Sequence, residues 1–305
     1  MWFFKPKTFE DFFTNVPNEQ KEQLMTFREK AVYKTISHNQ TVWRYRKIGS
    51  GERSMVLLPG GFTLADIWMT TAQVFADNSV MLMPDAYARQ EIYDIDQVCD
   101  ALLAMMDAEG VKKAIFIGLA AGGELAQAFL HKHPERVSHL VISHCDILGD
   151  SEAIHDLRTR NTLNFYNRTS EGMIRSFMLR PLEKDLPMDS DWRNFTIAYY
   201  RDSIQGLKKK MVLGYVRNSH AMKKKFEFMA ARIRSWQGEL LFLASEDDNI
   251  TLKSIPALKK MYPNAKVHRF AQGQNHVHLL YPQLVNQVIQ DFLEDAERKE
   301  GLNQA

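Results

Sequence analysis

The amino-acid sequence predicts an α/β fold, in which a mostly parallel sheet carries helices on both faces. Short apolar runs alternate with helix-forming segments along most of the chain. That alternation is typical of parallel strands joined by crossover helices. A glycine-rich turn joins one apolar run to the helix after it, and polar residues follow two later runs.

The elements follow in order along the chain. Residues 1–30 form a lead-in whose helix begins at Pro17-Asn18 and continues to Arg28. Apolar or alternating runs then predict strands at 32–37, 41–47, 55–58, 80–83, 113–117, 137–143, 240–244 and 266–270. Helical periodicity predicts helices at 94–108, 123–131, 255–261 and 282–299.

The strand signals stop at Asp146 and resume at Leu240. We therefore expect one α/β core, residues 31–146 and 237–300, with a helical cap at 147–236 inserted after the sixth strand. The cap is rich in aromatic residues and methionine, which favours an apolar substrate beneath it. These cap residues include Phe165, Tyr166, Phe177, Met178, Trp192, Phe195, Tyr199 and Tyr200.

Composition excludes several classes of protein. The net charge of +2 over 305 residues gives no electrostatic footprint for nucleic acid or an anionic membrane. The lysine runs 208–210 and 223–225 are interpreted as solvated helix faces. Two cysteines, Cys99 and Cys145, are too few for a disulfide framework and are expected to be buried thiols. No segment predicts a secretory leader or a membrane span, so we expect a cytoplasmic protein.

The most informative motif follows the strand predicted at 113–117. The sequence Gly118-Leu119-Ala120-Ala121-Gly122 has the spacing of a nucleophile elbow, G-x-S-x-G, but alanine occupies the serine position. An alanine side chain has no lone pair and cannot form an acyl-enzyme. The site is therefore expected to lack the atom that would attack a carbonyl group.

Candidates for an acid and a base follow the last two strands. Ser245-Glu246-Asp247-Asp248 comes after the seventh predicted strand, and Gly273-Gln274-Asn275-His276 comes after the eighth. Nucleophile, acid and histidine therefore fall in the chain order of a serine-hydrolase triad. Spacing leaves Asp247 open as a rival acid and His278 as a rival base.

Two further residues follow the sixth strand. Asp146 is another candidate for the acid, and His144 beside it is interpreted as structural.

These motifs resemble the α/β-hydrolase superfamily over most of the chain. The resemblance implies Asp248 as the acid and His276 as the base. It also matches Leu58-Pro59-Gly60-Gly61-Phe62 to the loop after the third strand, which implies an oxyanion hole formed by the backbone N–H groups of Gly61 and Ala121. The pieces GGFTLADIW, GLAAGG and MYPNAK are similar to the maspardin-like branch of the superfamily.

Three explanations of Ala120 stay open. In the first, the natural hydrolase has serine at position 120, and this chain is an inactive variant in which alanine replaces the nucleophile so that substrate or product is trapped. In the second, the alanine is natural and the chain is a pseudohydrolase that binds a ligand or a partner. Alternatively, it is a lyase- or cyclase-type enzyme that uses His276 as a base without acylation. The first explanation is the one we carry forward, because the other parts of the apparatus are present.

The expected substrate is a carboxylic ester, thioester or lactone with a largely apolar acyl part. Phe62, Trp68 and His278 are expected to line its pocket. No metal constellation, phosphate loop or dinucleotide fingerprint occurs, so no cofactor is expected. The sequence does not decide whether the chain forms a homodimer.

Overall fold

The computed structural model describes residues 8–39, 41–90, 94–149, 156–226, 233 and 236–304. Eight strands of these residues form one sheet in the order β1-β2-β4-β3-β5-β6-β7-β8. The strands are β1 (Val32–His38), β2 (Thr41–Ile48), β3 (Arg53–Leu58), β4 (Ser79–Pro84), β5 (Ala114–Leu119), β6 (Val137–Ser143), β7 (Leu240–Ser245) and β8 (Lys266–Phe270).

The sheet is antiparallel only where β2 pairs with β1 and with β4. The pairings from β4 through β3, β5, β6 and β7 to β8 are all parallel. The predicted mostly parallel sheet is therefore confirmed. Because the six parallel strands point the same way, the loops after β3, β5, β7 and β8 meet at one edge.

Helices cover both faces of the sheet. They are α1 (Phe9–Phe13), α2 (Asn18–Lys30), α3 (Met69–Phe75), α4 (Ile95–Ala108), α5 (Ala121–Lys132), α6 (Asp156–Arg168), α7 (Glu171–Asp185), α8 (Arg193–Gln205), α9 (Lys209–Phe226), α10 (Asn249–Lys253), α11 (Ile255–Met261), α12 (Val277–Leu280) and α13 (Pro282–Gln304). Short 3₁₀ turns lie at Ala65–Trp68, Tyr87–Gln90, Pro134–Arg136 and Gln274–His276.

The strands divide their side chains between two hydrophobic cores. In β3, Val56 and Leu58 belong to the core that contains α4 and α5, while Met55 and Leu57 belong to the core that contains α2, α3 and α13. This alternation follows from the two-residue period of a strand. Both faces are therefore buried, as the continuous apolar runs predict.

Between β6 and β7 the described residues form α6, α7, α8 and α9 and no strand. We call these four the cap helices; their presence after the sixth strand agrees with the sequence prediction. The domain boundaries at 31, 147 and 237 stay predictions.

One lysine in the cap departs from its interpretation as a solvated residue. The side chain of Lys223 in α9 is only 15% exposed, and it forms ion pairs with Asp146 and Glu124 of the core. Its neighbour Lys224 is 49% exposed, as a solvated residue should be. The ion pairs of this buried lysine connect the cap helix α9 to the core.

Candidate active site

The turn at Ala120 has the backbone of a nucleophile elbow. Ala120 lies between β5 and α5 with φ 48° and ψ −117°, a conformation that glycine adopts readily and alanine does not. Its N–H donates to the carbonyl of Ser143, and its own carbonyl accepts from the N–H groups of Gly123 and Glu124. These hydrogen bonds therefore hold the backbone of Ala120 in a strained conformation and fix the position of its methyl group.

Two glycines allow α5 to approach the sheet this closely. A Cβ atom at Gly118 would lie 2.4 Å from the carbonyl oxygen of Gly122, and one at Gly122 would lie 2.1 Å from that of Leu58. Both distances are far below van der Waals contact. The spacing that identifies the motif in the sequence is thus a steric requirement of the turn.

The loop after β3 lies directly against the elbow. A Cβ built on Gly60 would lie 3.2 Å from the Cβ of Ala120. Thr63 closes the turn, because both its N–H and its hydroxyl donate to the carbonyl of Gly60. Arg89 donates to the carbonyl of Phe62 at 2.5 Å. Among the described residues, neither Gly61 nor Ala121 donates its N–H to a protein acceptor.

His276 is the imidazole of the site. It follows β8 and lines the same cavity as Ala120. Burial, assisted by the nearby His144, lowers the pKa of His276 to about 4, while the charges of Asp247 and Asp248 oppose that shift. His276 is therefore neutral at pH 7 and able to accept a proton.

The acid implied for His276 is not hydrogen-bonded to it, which corrects the predicted pairing. Asp248 caps the N-terminus of α10 and accepts from the N–H groups of Ile250 and Thr251 at 3.1 and 3.2 Å and from the Thr251 hydroxyl at 2.5 Å. The carboxylate thus satisfies helix donors that would otherwise have no partner.

The two other candidate acids, Asp247 and Asp146, also bind partners other than His276. Asp247 accepts from the N–H groups of Gly273 and Gln274 at 2.9 and 3.0 Å, so it holds the loop that carries His276. Asp146 is paired with Lys223. Instead of a carboxylate, the hydroxyl of Tyr200 lies 3.0 Å from Nδ1 of His276.

His144 has the structural role that the sequence indicates. Its Nδ1 is 2.7 Å from the Ser143 hydroxyl and its Nε2 is 2.8 Å from the Ser245 hydroxyl. Ser245 donates its own proton to the carbonyl of Gln274, so Nε2 must be the protonated nitrogen of His144. Burial lowers the pKa of His144 to about 4 and keeps the ring neutral. This chain of hydrogen bonds supports the loop that precedes His276.

A cavity of about 350 Å³ lies above the elbow. Gly60, Gly61, Phe62, Thr63, Leu119, Ala120, Asn275 and His276 of the core line it, with Met178, Pro181, Leu182, Tyr200, Ile204 and Tyr215 from the cap helices. No charged side chain occurs among these described lining residues.

Two residues expected in the pocket lie elsewhere. Trp68 is fully buried in the core beside α3, and His278 is 3% exposed and packs edge-on against Trp68 at 5.3 Å. Neither is among the described residues that line the cavity, so that expectation is corrected for both. Burial also lowers the pKa of His278 to about 3. Its position outside the cavity, which His276 lines, makes it a poor rival as the base. Phe62 lines the cavity as expected.

Sequence reasoning did not identify Tyr200 or Tyr215 as functional. Both were hidden among the many aromatic residues of the cap, and only their position distinguishes them from Phe195 and Tyr199, which are fully buried. No spacing rule in the sequence gives that distinction, because it depends on how the cap helices pack above the elbow.

Comparison with known proteins agrees with this architecture. A family model described as alpha/beta hydrolase fold matches residues 54–282. A 2-hydroxy-6-oxononadienedioate/2-hydroxy-6-oxononatrienedioate hydrolase of Paraburkholderia phymatum is 23% identical over 265 residues, which cover 82% of this chain and 90% of that protein.

Solved structures are similar in fold at low identity. A putative lipase of Acinetobacter baumannii AYE has a TM-score of 0.71 at 17% identity and covers 97% of this chain and 98% of its own. A thermophilic esterase of Thermogutta terrifontis has a TM-score of 0.69 at 19% identity and covers 87% and 98%. At such identities the likeness shows the fold alone.

Proposed function

Because this chain belongs to the alpha/beta hydrolase fold family, we propose that its cavity receives a carboxylic ester, thioester or lactone for serine-hydrolase-type cleavage. The methyl group of Ala120 occupies the nucleophile position. One observation carries the proposal: Ala120 keeps the strained elbow backbone, φ 48° and ψ −117°, in a cavity that a neutral imidazole also lines.

The lining of the cavity argues for an uncharged substrate with an apolar part. Phe62, Met178, Leu182 and Ile204 supply apolar surface, and the polar groups are hydroxyls, an amide and an imidazole. Burying a carboxylate without a cationic partner is unfavourable, so a dianionic substrate fits poorly. The volume of about 350 Å³ is within the range of small-molecule sites.

With a serine at position 120, each group has a role. His276 would accept the hydroxyl proton as oxygen attacks the carbonyl carbon, and the N–H groups of Gly61 and Ala121 would stabilise the oxyanion. His276 would then return its proton to the leaving group, and water would release the acid. In the chain with Ala120 the first bond cannot form, so substrate binds without acylation.

The test compares this chain with an Ala120→Ser variant, using Ala120→Gly as a control that also lacks a nucleophile. The substrates are p-nitrophenyl esters of increasing acyl length, and the probe is a fluorophosphonate. We expect labelling and hydrolysis only in the serine variant, about a hundredfold or more above the other two. Adding His276→Ala should abolish both. A folded serine variant that is neither labelled nor active would refute the hydrolase proposal.

A second candidate is non-covalent chemistry with His276 as the base. It is favoured by the relative from Paraburkholderia phymatum, whose name gives a hydroxy-oxo dicarboxylate, and not an ester, as its substrate. The uncharged cavity lining argues against that particular substrate. Turnover by the chain with Ala120 that is lost in His276→Ala would establish this alternative. Ligand binding without turnover in either form would support a pseudohydrolase.

The location of the protein, its oligomeric state and its branch of the superfamily are also part of this proposal. No helix among the described residues is both long and apolar enough to cross a membrane. A cytoplasmic location, a homodimer and the maspardin-like affiliation stay predictions.

A further inference from the structure

We propose that Tyr200, on cap helix α8, is the residue that positions the His276 imidazole, in the role that the family resemblance implies for Asp248. The Tyr200 hydroxyl lies 3.0 Å from Nδ1, and the two rings meet edge to face at 5.2 Å. Among the described residues, Tyr200 is the only side chain that forms a hydrogen bond with His276. The inference rests on the proposed role of His276 as the base.

The nearby carboxylates hold other donors and form no hydrogen bond with His276. Asp248 accepts three hydrogen bonds within the first turn of α10, and Asp247 accepts two from the backbone before His276. Moving Asp248 onto the imidazole would leave the N-terminal N–H groups of α10 without their cap. On the His276 ring itself the two aspartates act through their charge, without a hydrogen bond, while Asp247 also holds the backbone of the loop.

Tyr200 is itself held in place by its surroundings. It packs against Tyr199 at 5.7 Å and against the small core formed by Leu182, Leu186 and Leu280. The hydroxyl of Tyr199 both accepts from the N–H of Leu64 and donates to its carbonyl, at 3.1 and 2.9 Å. Two consecutive tyrosines of α8 therefore contact the loop after β3 and the base after β8.

This arrangement has a chemical consequence. A carboxylate only accepts a hydrogen bond and stabilises the imidazolium, whereas a phenol can donate or accept and carries no charge. Burial raises the pKa of Tyr200, so the phenol stays neutral at physiological pH. The charged and titratable groups that act on His276 are then Asp247, Asp248 and His144, none of them in hydrogen-bond contact with it. The orientation of the base depends on the position of the cap helices.

The test uses nitrogen NMR of the imidazole in the chain with Ala120, which requires no activity. The His276 resonances are assigned by their loss in His276→Gln. We expect Tyr200→Phe to shift the Nδ1 resonance of His276 and Asp248→Asn to leave it nearly unchanged. Tyr215→Phe is the matched control, because Tyr215 lines the same cavity without contacting His276. An unchanged Nδ1 resonance in Tyr200→Phe, or an equal shift in Asp248→Asn, would overturn the proposal.

A kinetic arm uses the same variants in the Ala120→Ser background. We expect Tyr200→Phe to lower kcat about tenfold or more with little change in KM, and Asp248→Asn to lower it less. The opposite order would refute the role of Tyr200. If Ala120→Ser is inactive while the NMR shifts are as expected, the hydrolase proposal fails and the positioning role of Tyr200 stands.

Discussion

Replacing Ala120 by glycine measures the strain stored in the elbow. The backbone at Ala120, φ 48° and ψ −117°, matches the first central residue of a type II′ turn, where glycine is favoured. A non-glycine residue in such a region carries about 1–3 kcal/mol of strain. Ala120→Gly removes the Cβ atom that causes it.

The gain is reduced by the greater freedom of glycine in the unfolded chain, about 0.4–1 kcal/mol. Little packing is lost, because Ala120 is only half-buried and faces the cavity. The variant should therefore be more stable by about 1 kcal/mol, which is roughly 2 °C in Tm for a chain of this size. Equilibrium unfolding in urea, with unchanged m, is the measurement.

The control is Ala126→Gly, in the middle of α5 and fully buried. There the glycine loses about 1 kcal/mol of helix propensity and a further ~0.8 kcal/mol of methyl burial. That variant should lose about 2 kcal/mol, so the two substitutions have opposite signs. If Ala120→Gly is destabilising by a similar amount, the elbow is not strained and the reasoning fails.

Three further predictions concern packing, charge and pH. Gly122→Ala should lower the free energy of unfolding by more than about 3 kcal/mol in urea, because its Cβ would lie 2.1 Å from the Leu58 carbonyl oxygen. Lys223→Met should lower it by about 3 kcal/mol at pH 8 and less at pH 5, because the raised pKa of buried Glu124 lets that carboxyl take up a proton. The pKa of about 3 for buried His278, against 6.5 when unfolded, should cost about 2 kcal/mol of stability between pH 7.5 and pH 5.

The charge prediction and the pH prediction each have a control variant. Lys224→Met removes an exposed charge and should change stability by less than about 0.5 kcal/mol at either pH. A His278→Leu variant should lack its share of the acid sensitivity, because the unfolded chain then binds one proton fewer as the pH falls below 6.5. An equal effect at Lys223 and Lys224, or an unchanged pH slope in His278→Leu, would contradict the reasoning. Tolerance of Gly122→Ala would show that α5 can move away from β3.

Much of the fold could be predicted from local patterns. The run Met55–Leu58 was recognisable as a central strand because it is apolar on both faces. In the structure this strand begins two residues earlier, at Arg53, and ends at the same residue. The helix after the elbow begins at Ala121, two residues earlier than the prediction, because the sharp turn at Ala120 leads directly into it. Such boundaries depend on backbone angles that periodicity does not report.

The candidate site was only partly predictable. Ala120 and His276 could be located because each follows a parallel strand, and parallel strands bring their ends together. The partner of His276 could not be identified, because Asp248 and Tyr200 both lie within reach of the same edge once the chain is folded. Choosing between them requires side-chain positions.

The residues alone specified a parallel sheet, an elbow whose glycines are sterically required, and an imidazole at the end of the last strand. These are local properties, set by apolar periodicity and by the absence of a Cβ atom at Gly118 and Gly122. The hydrogen bond of His276 is not local: Tyr200 lies 76 residues away in a separate helix. Only the tertiary structure decides that contact. The N-terminus of α10 holds the carboxylate of Asp248, while the packing of the cap places the neutral phenol of Tyr200 beside Nδ1 of His276.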